Sequence, residues 1–340
     1  MSSLADDFAR RFPRAFVTGA AGFIGSHVVK RLVALGVDVT ALVLPNDPAP
    51  SLVGIPINVV HGDLASVPQL ANAMRGASVV FHLAAIYALW LRTPRLMFDV
   101  NVDGTRNVIA AAREAGVTRV VHTSSIAAVG LLPGREVADE DTAFNVWDVA
   151  NDYVLSKYIA ELEAFRAAGD DIELVAVNPA FPFGADDTAP TPTGKMVRDT
   201  LRGRMPFVVD GGFNAVDVRD VAEGHLLGAL HGKPGRRYIL GGENVTFRAF
   251  ADRVATIAAR RKPLMTVPNK LLIGLGKVSE AIATHVTKKS PQFTERSVAY
   301  MAGRYAWFST RRAEIELGYR PRPLDEAIAA SVAWFGRKGA

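Results

Sequence analysis

A chain of 340 residues that is 49% hydrophobic can bury a large core, which excludes a disordered or fibrous protein and fits one large α/β domain or a main domain with a smaller lobe. Cysteine is absent, so disulfide frameworks, thiolate metal sites and cysteine nucleophiles are excluded, no metal is expected, and the composition fits a reducing cytoplasm. The net charge of +5 arises from 39 basic and 34 acidic residues that are scattered apart from Arg260-Arg261-Lys262, too little of a basic stripe for nucleic-acid binding.

Residues 1–11 carry charges where an export signal needs an apolar stretch, and no window approaches roughly 18 uninterrupted apolar residues, so a soluble, cytoplasmic protein is expected. An apolar run at 14–18 then leads into Val17-Thr-Gly-Ala-Ala-Gly-Phe-Ile-Gly25 and an apolar-periodic helix over 22–35. Glycines in a first strand-to-helix turn permit a tight bend, let the backbone approach a pyrophosphate and bring the helix close to the sheet, while the helix N-terminus supplies amide donors. Gly19, Ala21, Gly22, Phe23, Ile24 and Gly25 are therefore the candidate nucleotide cradle. The spacing is G-x-x-G-x-x-G, one residue wider at its start than the general dinucleotide rule.

Further apolar strands at 37–43, 57–61, 79–82, 117–123 and 172–177 alternate with helical patterns at 67–74, 95–115 and 153–168. Such alternation predicts an α/β fold built on a Rossmann-type, doubly wound parallel sheet. After Asn178-Pro179 the pattern loosens into a Pro- and Gly-rich stretch over 181–194, then a helix at 195–202, a strand at 215–218, a helix at 218–230 and mostly helical segments from 247 onward. The reading is a dinucleotide-binding domain over 1–178, to which segments near 212–232 return, and a smaller, mainly helical substrate lobe over 179–340.

Tyr153 and Lys157 stand four apart near the start of a helix, so their side chains share one face. A Tyr-x-x-x-Lys pair alone means little. Here it follows the strand 117–123, whose carboxyl end carries Ser124 and Ser125, and ligands of open α/β sheets bind at that end. Glycine loop, serine-bearing strand end and Tyr-x-x-x-Lys helix, with Asp63-Leu64, His82-Leu-Ala-Ala85, Asn101-Val-Asp-Gly-Thr105 and Asn178-Pro179 between and after them, resemble the extended short-chain dehydrogenase/reductase family over nearly the whole chain.

That resemblance implies NAD or NADP as cofactor, with contacts from Asp63, Leu64, Leu83, Ala84, Ala85, Thr123 and Pro179 besides the glycine loop. Ser125 would hydrogen-bond the substrate carbonyl or hydroxyl and Tyr153 would move the proton. A free tyrosine titrates near pH 10, so Lys157 would favour the phenolate while also bonding the nicotinamide ribose. Asn101 would support a water-linked proton path, or else tie its helix to the sheet as a buried polar residue. Ser124 should point away from Ser125 and receives no role.

Cofactor choice is normally made just after the second strand, where an acid marks NAD and an arginine NADP. Val43 and Leu44 stand at those places, so neither mark is present; the missing arginine favours NAD, with Asn46, Asp47, Lys30 and Arg31 nearby.

The segments 87–92, 203–206 and 238–244, with Gly194-Lys195, look most like the dihydroflavonol-reductase-like group, including bacterial proteins labelled hopanoid-associated sugar epimerases. Phe213 stands where nucleotide-sugar enzymes of this type carry an arginine for the substrate pyrophosphate. Tyr87, Trp90, Phe181, Phe183 and Phe213, with Ser125, suggest an apolar substrate pocket, although each ring also suits lobe packing. The expectation is a hydride-transferring oxidoreductase acting on a carbonyl or alcohol of a largely apolar small molecule. The alternative is a sugar or nucleotide-sugar epimerase or dehydratase that keeps NAD tightly bound; a non-catalytic cofactor sensor has no need of Ser125, Tyr153 and Lys157. The apolar, lysine-flanked stretch 268–289 reads as a lobe helix, with weak contact to a membrane surface as its other use. The resemblance also allows a homodimer through the helices 95–115 and 153–168.

Overall fold

The computed structural model describes residues 4–88, 90–204, 207–263, 265–267, 300 and 303–337. The stretch 268–289 singled out for membrane contact lies outside them. Among the described residues no helix is long and apolar enough to cross a membrane.

The chain opens with a helix, α1 (Leu4–Arg11), absent from the sequence reading, and then alternates β1 (Arg14–Thr18), α2 (Phe23–Ala34), β2 (Asp38–Val43), β3 (Asn58–His61), α3 (Val67–Met74) and β4 (Val79–His82). A short helix, α4 (Arg95–Phe98), runs through a π-turn (Asp99–Asp103) into α5 (Gly104–Glu114), followed by β5 (Arg119–Thr123), α6 (Asp152–Ala168) and β6 (Glu173–Pro179). The single helix read at 95–115 is thus a broken one. The extra residue in the π-turn leaves apolar periodicity nearly intact and so escapes a pattern reading.

These strands form one parallel sheet with Arg237–Leu240 as a seventh member, in the order 237–240, β6, β5, β4, β1, β2, β3. Apart from the exposed edge strand β3, the strands are buried on both faces, which is why they read as continuous apolar runs rather than alternations. Ala15 and Val17 of β1 join the core cluster that also holds α2 and the helix Val218–His231. Phe16, between them, faces the other layer with Met74, Val108 and Ala164 of α3, α5 and α6. Buried Arg119 on β5 terminates the helix Val218–His231 by donating to the carbonyls of Gly228 (2.9 Å), Ala229 (2.9 Å) and Gly232 (2.5 Å).

The later chain builds a second, smaller sheet in which Gly212–Asp217 pairs with Phe181–Phe183, Glu243–Thr246 and Tyr305–Ala306. The segment 212–217 therefore lies in the lobe, whereas 218–231 and 237–240 return to the main sheet. Phe213, at 0% exposure, is the hub of this lobe, with ring centroids of Phe181, Phe247 and Phe250 at 5.1, 5.0 and 5.2 Å. Removing so enclosed an aromatic ring leaves a cavity, and Phe213→Ala is expected to cost about 3–5 kcal/mol, measurable as a fall in the urea midpoint.

Candidate active site

The sheet order reverses between β1 and β4, so the carboxyl ends of these two strands diverge around a crevice at the switch point of the sheet. The glycine loop fills its floor. Gly19 adopts φ +67° and lies so close to the end of β4 that a Cβ there would sit 2.5 Å from the Ala84 nitrogen. A Cβ on Gly25 would sit 2.0 Å from the Gly19 oxygen, so α2 starts directly against the loop. Gly22 precedes the first turn with no side-chain cap, and that turn holds no acidic residue. Uncapped amides at a helix start that backbone can approach without side chains are the donor set a pyrophosphate requires. The residues present therefore fit a dinucleotide.

The flanks of this crevice are fixed by a chain of buried hydrogen bonds. Thr105 Oγ1 donates its only proton to the Asn101 carbonyl (2.6 Å), so His82 must donate from Nε2 to Thr105 (2.9 Å). Burial pushes His82 down to about 3 and keeps it neutral. Its bare Nδ1 consequently accepts from Thr18 Oγ1 at 2.8 Å, and Thr18 in turn accepts from the Ala84 N–H at 3.1 Å. The end of β1, the segment after β4 and the π-turn are locked together in this way.

Asn101 sits within that π-turn, 2% exposed. Its Oδ1 accepts from Ile86 N (2.7 Å), and its Nδ2 donates to Ile86 O (3.1 Å) and to Ser156 Oγ (2.9 Å). Ser156 donates onward to the Tyr153 carbonyl at 2.9 Å. These contacts clamp the loop carrying Leu83, Ala84, Ala85 and Tyr87 against α6.

Ser125 follows β5 in extended backbone and caps a single 3-10 turn, its Oγ accepting from Ala127 N at 3.1 Å. With a lone pair so engaged, the hydroxyl proton remains available to the site. Burial pushes Tyr153 up to about 12, and the neighbouring Ser125 hydroxyl pulls it back. Lys157, 4% exposed, donates from Nζ to the Thr123 carbonyl at 2.6 Å. Burial lowers its ammonium to about 8, opposed by the carboxylate of Glu161 one turn on. Ser124 is buried with no partner for its hydroxyl, and Thr123 turns its side chain to His225 Nε2 (2.9 Å) on the far side of the sheet.

Tyr87 lies with its ring centroid 4.7 Å from that of Tyr153 and is 39% exposed; Trp90 and Phe181 are half-buried. Phe183 and Phe213 differ from the expected pocket wall. They are 1% and 0% exposed and pack against each other and against Phe250, so they belong to the lobe interior. Sequence alone gives no means of separating them from Phe181, because the pairing of 181–183 with 212–217 decides which rings are enclosed.

On the adenosine side, Leu44 is 59% exposed beyond β2, while Asp63 accepts from Ala65 N (2.9 Å) and Leu64 packs beside Gly104. Lys30 and Arg31 are committed elsewhere, to Asp186 and Glu223 at 2.6 Å each. Pro179 ends β6 beside Leu240.

Behind the site, buried Glu161 and half-buried Arg237, neither of them singled out in the sequence reading, join buried Asn178 through hydrogen bonds of 2.6 and 2.8 Å at the Glu161 carboxylate. A signal was available for the first, since Tyr153, Lys157 and Glu161 continue one four-residue spacing on α6.

Comparison with known proteins identifies residues 15–241 with the NAD dependent epimerase/dehydratase family. A putative dihydroflavonol 4-reductase of Synechocystis is 38% identical over 328 residues, 95% of each chain. Sterol demethylase protein B of Methylococcus capsulatus is 31% identical over 325 residues, covering 95% of this chain and 98% of that one. Among solved structures, gox2253 superposes with a TM-score of 0.86 at 39% identity, covering 96% of this chain and 99% of that one.

Proposed function

This chain belongs to the NAD dependent epimerase/dehydratase family, and we propose that within it the protein interconverts a carbonyl and an alcohol on a largely apolar small molecule. The observation that carries this reading is the Tyr153 side chain set beside the Ser125 hydroxyl and 4.7 Å from the Tyr87 ring, with Lys157 one turn along the same helix. The names of two relatives, a dihydroflavonol reductase and a sterol demethylase protein, support an apolar substrate, as do the accessible rings of Tyr87, Trp90 and Phe181.

NAD or NADP, held by the glycine loop and Lys157, supplies or accepts the hydride when bound. Ser125 hydrogen-bonds the substrate oxygen through its hydroxyl, keeping its own proton, and fixes the oxygen's place. Tyr153, held protonated at neutral pH by burial, delivers its proton to the oxygen on which negative charge develops during reduction. Lys157 places a positive charge beneath the site and would bond the nicotinamide ribose. Asn101 keeps the Tyr87 loop and the start of α6 in register around the reacting groups. Exposed Leu44, with Lys30 and Arg31 already paired, gives no cation for a 2′-phosphate, which favours NAD.

The test mixes purified protein with NADH or NADPH and a panel of ketones on apolar skeletons, a 3-oxosteroid among them, and follows loss of nicotinamide absorbance. Consumption of reduced cofactor, faster with NADH, is expected. NAD that copurifies with the protein, with no net consumption on any ketone, would overturn the reading in favour of an epimerase.

A further inference from the structure

Glu161 is 3% exposed and lies one helical turn past Lys157 on α6. Its Oε2 accepts from Asn178 Nδ2 at 2.6 Å and its Oε1 from Arg237 Nη1 at 2.8 Å. The same Asn178 nitrogen donates to the Ser125 carbonyl at 2.9 Å. Both partners of that nitrogen are acceptors, so the amide has one orientation and its oxygen is left buried without a partner. A buried carboxylate is costly unless paired, and nothing in the proton transfer described above uses this one.

We propose that Glu161 is a positioning residue for the reaction: it is the countercharge of the Lys157 ammonium and, through Asn178, the anchor of the backbone that carries Ser125. Arg237, on the seventh strand, holds the carboxylate in place and divides its charge between two cations. The other titratable groups near Lys157 are His82 on β4, His122 on β5 and Tyr153 on α6; burial keeps both histidines neutral, so among the described residues Glu161 is the anion that opposes the loss of the lysine's proton. This inference rests on the proposed role of Lys157 as a cation in the site.

The charge balance makes two variants move in opposite directions. Glu161→Gln keeps the side-chain length but removes the anion, so Lys157 loses its proton at lower pH. Arg237→Met removes the competing cation, so Lys157 keeps its proton to higher pH. The readout is the ionisation midpoint of Lys157 in the full chain labelled with [ε-13C]lysine, its resonance assigned through Lys157→Arg. A midpoint near 8 is expected in the unaltered chain. It should fall by about one unit, a tenfold change in proton affinity, in Glu161→Gln and rise in Arg237→Met. Glu161→Asp should restore it, and with Arg237→Met it keeps the test decisive if the glutamine variant does not fold. Midpoints that stay within about 0.3 unit of the unaltered chain, or that shift the same way in both variants, would overturn the proposal. Midpoints that move as stated in a protein that consumes neither NADH nor NADPH would sink the proposed activity and leave this inference standing.

Discussion

Tyr153→Phe should lose about 10²–10⁴-fold in turnover while still binding NADH, because a positioned proton donor is removed and little else changes. The phenylalanine ring keeps its packing 4.7 Å from Tyr87, and α6 keeps its cap, Asn151 Oδ1 accepting from Val154 N at 3.0 Å. The hydroxyl removed lies beside Ser125, and a polar contact of that kind is worth about 1 kcal/mol to the fold. The melting temperature should therefore barely move. Parallel titration of NADH fluorescence and steady-state rates separates the two effects: retained binding with retained turnover would remove Tyr153 from the chemistry.

The second large effect is expected at Gly25→Ala. The added methyl would lie 2.0 Å from the Gly19 oxygen and 2.9 Å from its carbonyl carbon, and backbone cannot swing aside as a side-chain tip does. Either α2 moves outward or the loop opens, and both withdraw amide donors from the place a pyrophosphate occupies. Overpacking of this kind costs about 1–3 kcal/mol, and NADH affinity should fall by roughly a further hundredfold once the donors are displaced. Gly336→Ala, where nothing lies within 4 Å in the last turn of the helix Leu324–Arg337, is the control and should be neutral or slightly stabilising. Unchanged NADH affinity in Gly25→Ala would mean that the loop does not hold the cofactor.

The parts of this molecule that could be read from its sequence are those whose information is local. β1 and α2 around Gly19, Gly22 and Gly25 follow from turn chemistry and apolar period, and the face shared by Tyr153 and Lys157 follows from helical spacing. What could not be read depends on partners remote in sequence. Arg237–Leu240 is four residues long and is a sheet strand only because β6 offers it an edge, Arg237 aligning with Ala176. Phe183 and Phe213 are enclosed through strand pairing between 181–183 and 212–217, which composition does not encode. The π-turn at Asn101 has the same character, since the clamp it makes needs Ile86 and Ser156 on separate elements.

The position of Arg237–Leu240 at the edge of the sheet has a consequence for the order in which the protein is made. As the chain leaves the ribosome, β1 to β6 can pair in sequence, but β6 then ends the sheet with an unsatisfied edge until the segment Arg237–Leu240 has been synthesised. Over that interval Glu161 has no arginine, and the enclosure around Lys157 is incomplete. The enclosure around Glu161 and Lys157 is therefore completed only by a strand that arrives late in synthesis.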